Sequence, residues 1–368
     1  MTIGIFYQNG VKEYDFGWGH PFRGDRFEVF LSFLKDQLIE GEHYRLIAAE
    51  PATDDDLLLI CTKEYIDFTS AYYRAAHLGL SHSGSLFRFL SGDNVPASQP
   101  GKLGEAARLI VGQAKMAGDL VQAGHCTKVV SIGGGLHHAK PSYGEGFCIY
   151  NDVAFCARYL IEKHGLERVL VLDTDAHAGN GTCEIFYDDP RVLFIDIHQN
   201  PRTVYPGTGY AHEIGRGKGE GFTVNIPMPV RAGNESFKLA FETIIEPITN
   251  EFKPQIIIRN GGSDPHFLDH LTNLGVTVEG FRMIGERVRR MAEVCDGKVI
   301  DLLTSGYNLD VLPHAWLALI CGLADLKVPV KEPYPVQHRQ VEEKAGIATE
   351  NVIDEVRYRL SRHWTCLK

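Results

Sequence analysis

Six short apolar runs recur along the chain: TIGIFY at 2–7, KVVSIG at 128–133, RVLVLDTD at 168–175, RVLFIDIH at 191–198, PQIIIRNGG at 254–262 and KVIDLLTSG at 298–306. Each centres on Val, Ile and Leu, and most close on Gly, Asp or Ser, which predicts strands buried on both faces. Longer stretches with helical spacing lie between them, at 103–122, 152–164, 234–250, 278–295 and 314–325, with Asn151 as the N-cap of the second. Strands alternating with helices predict an α/β fold: one parallel sheet with helices on both faces. In such sheets ligands sit at the carboxyl ends of the strands. Residues 79–102 read as a long polar surface loop, and the segment after Pro335 as an outer helix, IATENVIDEVRYRLSRHW. The expected division is a catalytic domain over 1–330 and a helical extension over 331–368 packed on it.

Composition narrows the classes. The 368 residues carry 37 Lys and Arg against 47 Asp and Glu, a net charge of −10 that disfavours direct nucleic-acid binding. No run approaches the length of a membrane span, and MTIGIFYQNG lacks the charged start and apolar stretch of a signal peptide. Eight scattered cysteines with no CxxC pair read as free, mostly buried thiols in a reducing compartment, so a cytoplasmic location is expected.

The chemistry gathers at the strand ends. In VLVLDTDAHAGNGT the alternation of residues 173, 175 and 177 sends Asp173, Asp175 and His177 off one face of an extended strand. Buried carboxylates and imidazole in that pattern call for a cation, and zinc or a similar divalent ion suits them. IIIRNGGSD offers Asp264 past another strand end. Asp175, His177 and Asp264 make a three-ligand set that leaves a position open for water and substrate, as catalytic sites do. His137 and His138, adjacent after a run of three glycines, can divide the proton transfers that amide cleavage needs. Asp173 and Asn180 are candidate partners to set their tautomers. Tyr307, beside Gly306 in an exposed turn, is a candidate oxyanion donor, while Phe147 after Gly146 and Tyr205 could wall a narrow apolar channel.

With HPFRGDRF, GDNVP, GGGLHHA, GFCIYND, DTDAHAGNGT, YPGTG, GGSD and SGYN in order over roughly residues 18–325, the chain resembles the zinc-dependent histone deacetylases and their prokaryotic relatives, the acetylpolyamine amidohydrolases and acetoin-utilisation proteins. The resemblance implies an arginase–deacetylase fold and one zinc held by Asp175, His177 and Asp264, iron being the alternative occupant. It implies His138 as general base and acid, His137 as its electrostatic partner, and Tyr307 as the group polarising the carbonyl. Asp173 would bond His137 and Asn180 would face His138. Gly146, Phe147 and Tyr205 would flank an acyl-lysine tunnel with Leu271 near its mouth. Asp93 would grip the substrate backbone at the rim, and Arg26 would line an acetate exit. A structural potassium would lie by Asp173, Asp175, His177 and Asp196, the last in a position where serine is usual. The implied substrates are acetylated lysine side chains or acetylated polyamines, with homo-oligomerisation open. Thr304 and Ser305 stand where the family is glycine-rich and are expected to narrow the acyl pocket. Two rival readings are a silent acyl-lysine binding module and a two-manganese ureohydrolase of the same architecture; the latter calls for an aspartate where Gly179 stands.

Overall fold

The computed structural model describes residues 2–80, 86–336 and 346–368. Its eight strands are β1 (Ile3–Phe6), β2 (Tyr44–Ile47), β3 (Lys128–Ile132), β4 (Val169–Asp173), β5 (Val192–Gln199), β6 (Thr223–Met228), β7 (Ile256–Gly261) and β8 (Val299–Leu303). They form one sheet in the order β2-β1-β3-β8-β7-β4-β5-β6, with all seven pairings parallel. Parallel strands need crossovers that place helices on the faces, so the sheet is covered and β4, β5, β7 and β8 are buried along their whole length.

The helices are α1 (Asp25–Gln37), α2 (Asp54–Leu57), α3 (Lys63–His77), α4 (Leu86–Phe89), α5 (Leu103–Gln122), α6 (Asp152–His164), α7 (Asn180–Phe186), α8 (Asn234–Ala240), α9 (Glu246–Phe252), α10 (Val278–Met291), α11 (Leu312–Ala324) and α12 (Ile347–Leu360). A π turn over Phe241–Ile245 joins α8 to α9. Asn151 Oδ1 accepts from Ala154 N at 2.8 Å and caps α6 as its sequence suggests. α12 lies against β6, and Trp364 beyond it donates Nε1–H to Gly221 O at 2.8 Å. No described helix is long and apolar enough to cross a membrane. All eight cysteines are free; five are buried and Cys366 is exposed.

The stretch 79–102 departs from its reading as a surface loop. Residues 81–85 of it lie outside the described residues. The remainder holds α4 and a 3-10 turn at Gly92–Asn94, with Phe89, Leu90 and Asn94 buried. Asn94 Nδ2 donates to Cys148 O at 2.6 Å, tying the segment to the loop before α6.

Register sets up the site. Asp173 at the end of β4 pairs with Asp196 of β5 on one side and Asn260 of β7 on the other. A row of polar side chains therefore crosses the carboxyl edge of the sheet.

Candidate active site

Asp175, His177 and Asp264 come together past the ends of β4 and β7, all buried, each offering a ligand atom within 4.8 Å of the others. His177 Nδ1 lies 3.1 Å from Asp175 Oδ1 and 3.0 Å from Asp264 Oδ2. Backbone amides aim the carboxylates: His177 N donates to Asp175 Oδ1 at 2.8 Å, and Ala176 N to Asp264 Oδ2 at 3.2 Å. Burial and the neighbouring Asp175 push the Asp264 carboxyl well above its usual range. Two carboxylates beside one imidazole, out of water, are a donor set that a divalent cation satisfies.

The expected common face of Asp173, Asp175 and His177 is corrected. β4 ends at Asp173, and Asp175 N turns back to donate to Asp173 Oδ1 at 3.1 Å. The Asp173 carboxylate points instead to His137 Nδ1, 2.8 Å from Oδ2, and accepts from Asn260 Nδ2 at 3.0 Å.

Two side chains at the start of α6 clamp the histidine loop. Asp152 accepts from Gly135 N and Leu136 N at 2.9 and 2.7 Å, and Asn151 Nδ2 donates to His137 O and Ala139 O at 3.0 and 3.1 Å. Held this way, the two rings meet with Nε2 atoms 3.1 Å apart. Burial opposes charge on His137, but Asp173 and Asp175 outweigh it and raise its pKa to about 9. Burial and the nearby His137 and His177 drive His138 well below the usual imidazole value, so it stays neutral. The His138 Nδ1 lies 2.7 Å from Asn180 Oδ1, a carbonyl oxygen that can only accept. His138 therefore carries its hydrogen on Nδ1, and its Nε2 is an acceptor.

Tyr307 stands across the cleft. Its turn is buried as far as Gly306 and half-buried at Tyr307 itself: Tyr307 N donates to Asp269 Oδ2 at 2.7 Å, and Arg26 Nη1 donates to Thr304 O and Gly306 O at 3.1 and 3.0 Å. Arg26 is buried beneath it, with its guanidinium 5.1 Å from the Tyr307 ring. Burial raises the Tyr307 hydroxyl well above its usual value, which keeps it a proton-bearing donor.

A cavity of about 410 Å³ opens over these groups, lined by Asp93, His138, Gly146, Phe147, His177, Thr203, Val204, Tyr205, Leu271 and Tyr307. Phe147 and Tyr205 face it as expected, the Tyr205 ring standing edge-on to His138 at 5.1 Å. Asp93 accepts from Gly146 N at 3.0 Å and from Ser91 Oγ. Thr304 and Ser305 are buried and are not among the residues that line this cavity. The Ser305 hydroxyl turns away to donate to Asp264 Oδ1 at 2.6 Å. Asp196 accepts from Gly179 N and lies 2.8 Å from His198 Nδ1, outside the cleft. At Gly179 a Cβ would lie 2.6 Å from Asp173 Oδ2, which leaves no room for the aspartate a second metal would need.

Sequence reasoning missed Asn260, Glu145, Asp152 and His198, and it singled out Ser305 without its bond to Asp264. Of these, Asp152 and Asn260 carried a signal, a polar residue flanking an expected strand or helix end.

Comparison with known proteins agrees with this geometry. The profile described as histone deacetylase domain matches residues 20–323. A probable deacetylase of Archaeoglobus fulgidus is 37% identical across the full length of both chains. The acetoin utilization protein AcuC of Staphylococcus xylosus is 38% identical over 89% of this chain and 84% of its own. A chloroplastic histone deacetylase 10 of Oryza sativa is 36% identical over 80% of this chain and 67% of its own. The HDA15 HD domain crystal structure superposes with a TM-score of 0.83 at 25% identity, covering 100% of this chain and 97% of that one.

Proposed function

Since the chain belongs to the histone deacetylase domain family, we propose that its cleft removes acetyl groups from the amines of lysine side chains or polyamines. The family shows the deacetylase activity; the substrate and the zinc are our reading. The observation that carries it is the convergence of the Asp175, His177 and Asp264 donor set, the His137–His138 pair and the Tyr307 hydroxyl on one narrow cleft.

Asp175, His177 and Asp264 would hold a zinc ion. When bound, such an ion polarises a carbonyl and brings the pKa of water to near ~7. The protein supplies the rest. Phe147 and Tyr205 exclude water and admit an unbranched alkyl chain, and the Tyr307 hydroxyl donates to the amide oxygen as negative charge develops there. His138, neutral and with Nε2 as acceptor, takes the proton of the attacking water and returns it to the departing amine. His137, charged and fixed by Asp173, stabilises the pair without leaving its place. The proposal leaves potassium aside: the Asp196 carboxylate accepts from Gly179 N and faces the buried His198, whose pKa it raises against the effect of burial. Arg26 acts on Tyr307 through the turn it holds.

A panel of acetyl-lysine peptides, acetylated diamines and acetate esters, run with metal content measured, tests this. Acetate release should stop on chelation and return with zinc. His138→Ala should lower kcat by ~10² to 10⁴-fold, and Tyr307→Phe by about 10²-fold or more. Full activity in either variant, or after chelation, contradicts the roles given.

A further inference from the structure

Two partners meet on the carboxylate of Glu145, a side chain only 15% exposed, next to Gly146 of the cleft, that none of the roles above employs. Asn180 Nδ2 donates to Glu145 Oε1 at 2.8 Å. Lys140 Nζ lies 3.2 Å from the same oxygen and is itself held by Glu184 at 3.5 Å.

The Asn180 contact has a chemical consequence. A side-chain amide has one end that accepts and one that donates, whereas a carboxylate can only accept. With Nδ2 committed to Glu145, Asn180 has its Oδ1 facing His138 Nδ1 at 2.7 Å. Turning the amide over would set Oδ1 against the Glu145 anion and an N–H against His138 Nδ1. His138 would then have to place its hydrogen on Nε2, the atom that must receive a proton.

We infer that Glu145 is a positioning residue: acting through Asn180, it holds His138 in the Nδ1–H tautomer. The relay stands on geometry alone; its catalytic value rests on the deacetylase reading given above.

The test uses the full-length, zinc-loaded protein and two readouts. Long-range nitrogen–proton correlation spectra report the imidazole tautomers, with His138 identified by the signals lost in His138→Gln. Acetate release from an acetyl-lysine peptide gives kcat and KM. Glu145→Ala should bring the Nε2–H form of His138 into the spectrum and lower kcat by about 10-fold to 100-fold, with KM moving by only about threefold. Adding Asn180→Asp to Glu145→Ala replaces the two-ended amide with a group that only accepts, so the Nδ1–H form and most of kcat should return. Asn180→Asp alone, which sets two carboxylates side by side, should be worse than the double variant. A His138 spectrum unmoved by Glu145→Ala, or a double variant no better than Glu145→Ala, overturns the inference. If Glu145→Ala shifts the tautomer but the wild-type protein cleaves no acyl amine, the positioning role stands and the deacetylase reading falls.

Discussion

One methyl group at position 146 measures how closely the proposed base is enclosed. Gly146 has a φ of 59°, and a Cβ there would lie 2.2 Å from His138 Cδ2. Gly146→Ala is therefore expected to displace the ring and lower kcat/KM by about 100-fold, as angstrom-scale misplacements do; near-normal kinetics would show that the ring has slack. Ser305 offers a second test at this scale. Ser305→Ala strips the donor from Asp264 Oδ1 and should weaken metal affinity by ~10-fold to 100-fold in a chelator competition, whereas unchanged affinity would make the hydroxyl a bystander. pH gives a third. His138 has its pKa held below 6.5, so its neutral, proton-accepting form persists as pH falls through that value. The acid limb of kcat/KM should accordingly have its midpoint below 6.5, and a midpoint at or above 6.5 assigned to His138 would contradict its environment.

Among the elements, what could be read from sequence depended on how completely each was buried. β3, β4, β5, β7 and β8 announce themselves as continuous apolar runs because both their faces are covered. β6 escapes notice because Asn225 and Pro227 interrupt it; Asn225 bonds Glu213 O, and Pro227 is tolerated at the sheet edge. β2 is the opposite edge, four residues with only Tyr44 buried. α1 buries Phe27, Phe30, Leu31 and Leu34 at helical spacing but follows Gly24 without a side-chain cap, and α3 buries the aromatic Tyr65, Tyr72 and Tyr73. The ligand candidates were legible because they follow strand ends. Glu145 and the contact that Ser305 makes were not, since their partners Asn180 and Asp264 are 35 and 41 residues away and only the fold joins them. The last element makes its own prediction. Trp364 is buried against Phe222 and Phe252. Trp364→Ala should cost about 3 kcal/mol in urea unfolding while leaving kcat of the folded protein unchanged; a loss of kcat would show that the C-terminal segment reaches the site.

For the molecule as a whole, a parallel sheet brings the ends of β3, β4, β7 and β8 to one edge, and four separate stretches of chain meet there. Four buried carboxylates, Asp173, Asp175, Asp196 and Asp264, concentrate negative charge there around His137, His177 and His198. One divalent ion shared by Asp175, His177 and Asp264 balances that charge and gives the proton-transfer pair something to act beside. Anomalous diffraction from crystals grown with zinc tests this most directly. The account predicts one peak per chain, about 2.0–2.2 Å from His177 Nδ1 and from an oxygen of each of Asp175 and Asp264. A second peak beside Asp173, or no peak at these three side chains in zinc-replete crystals, would contradict it.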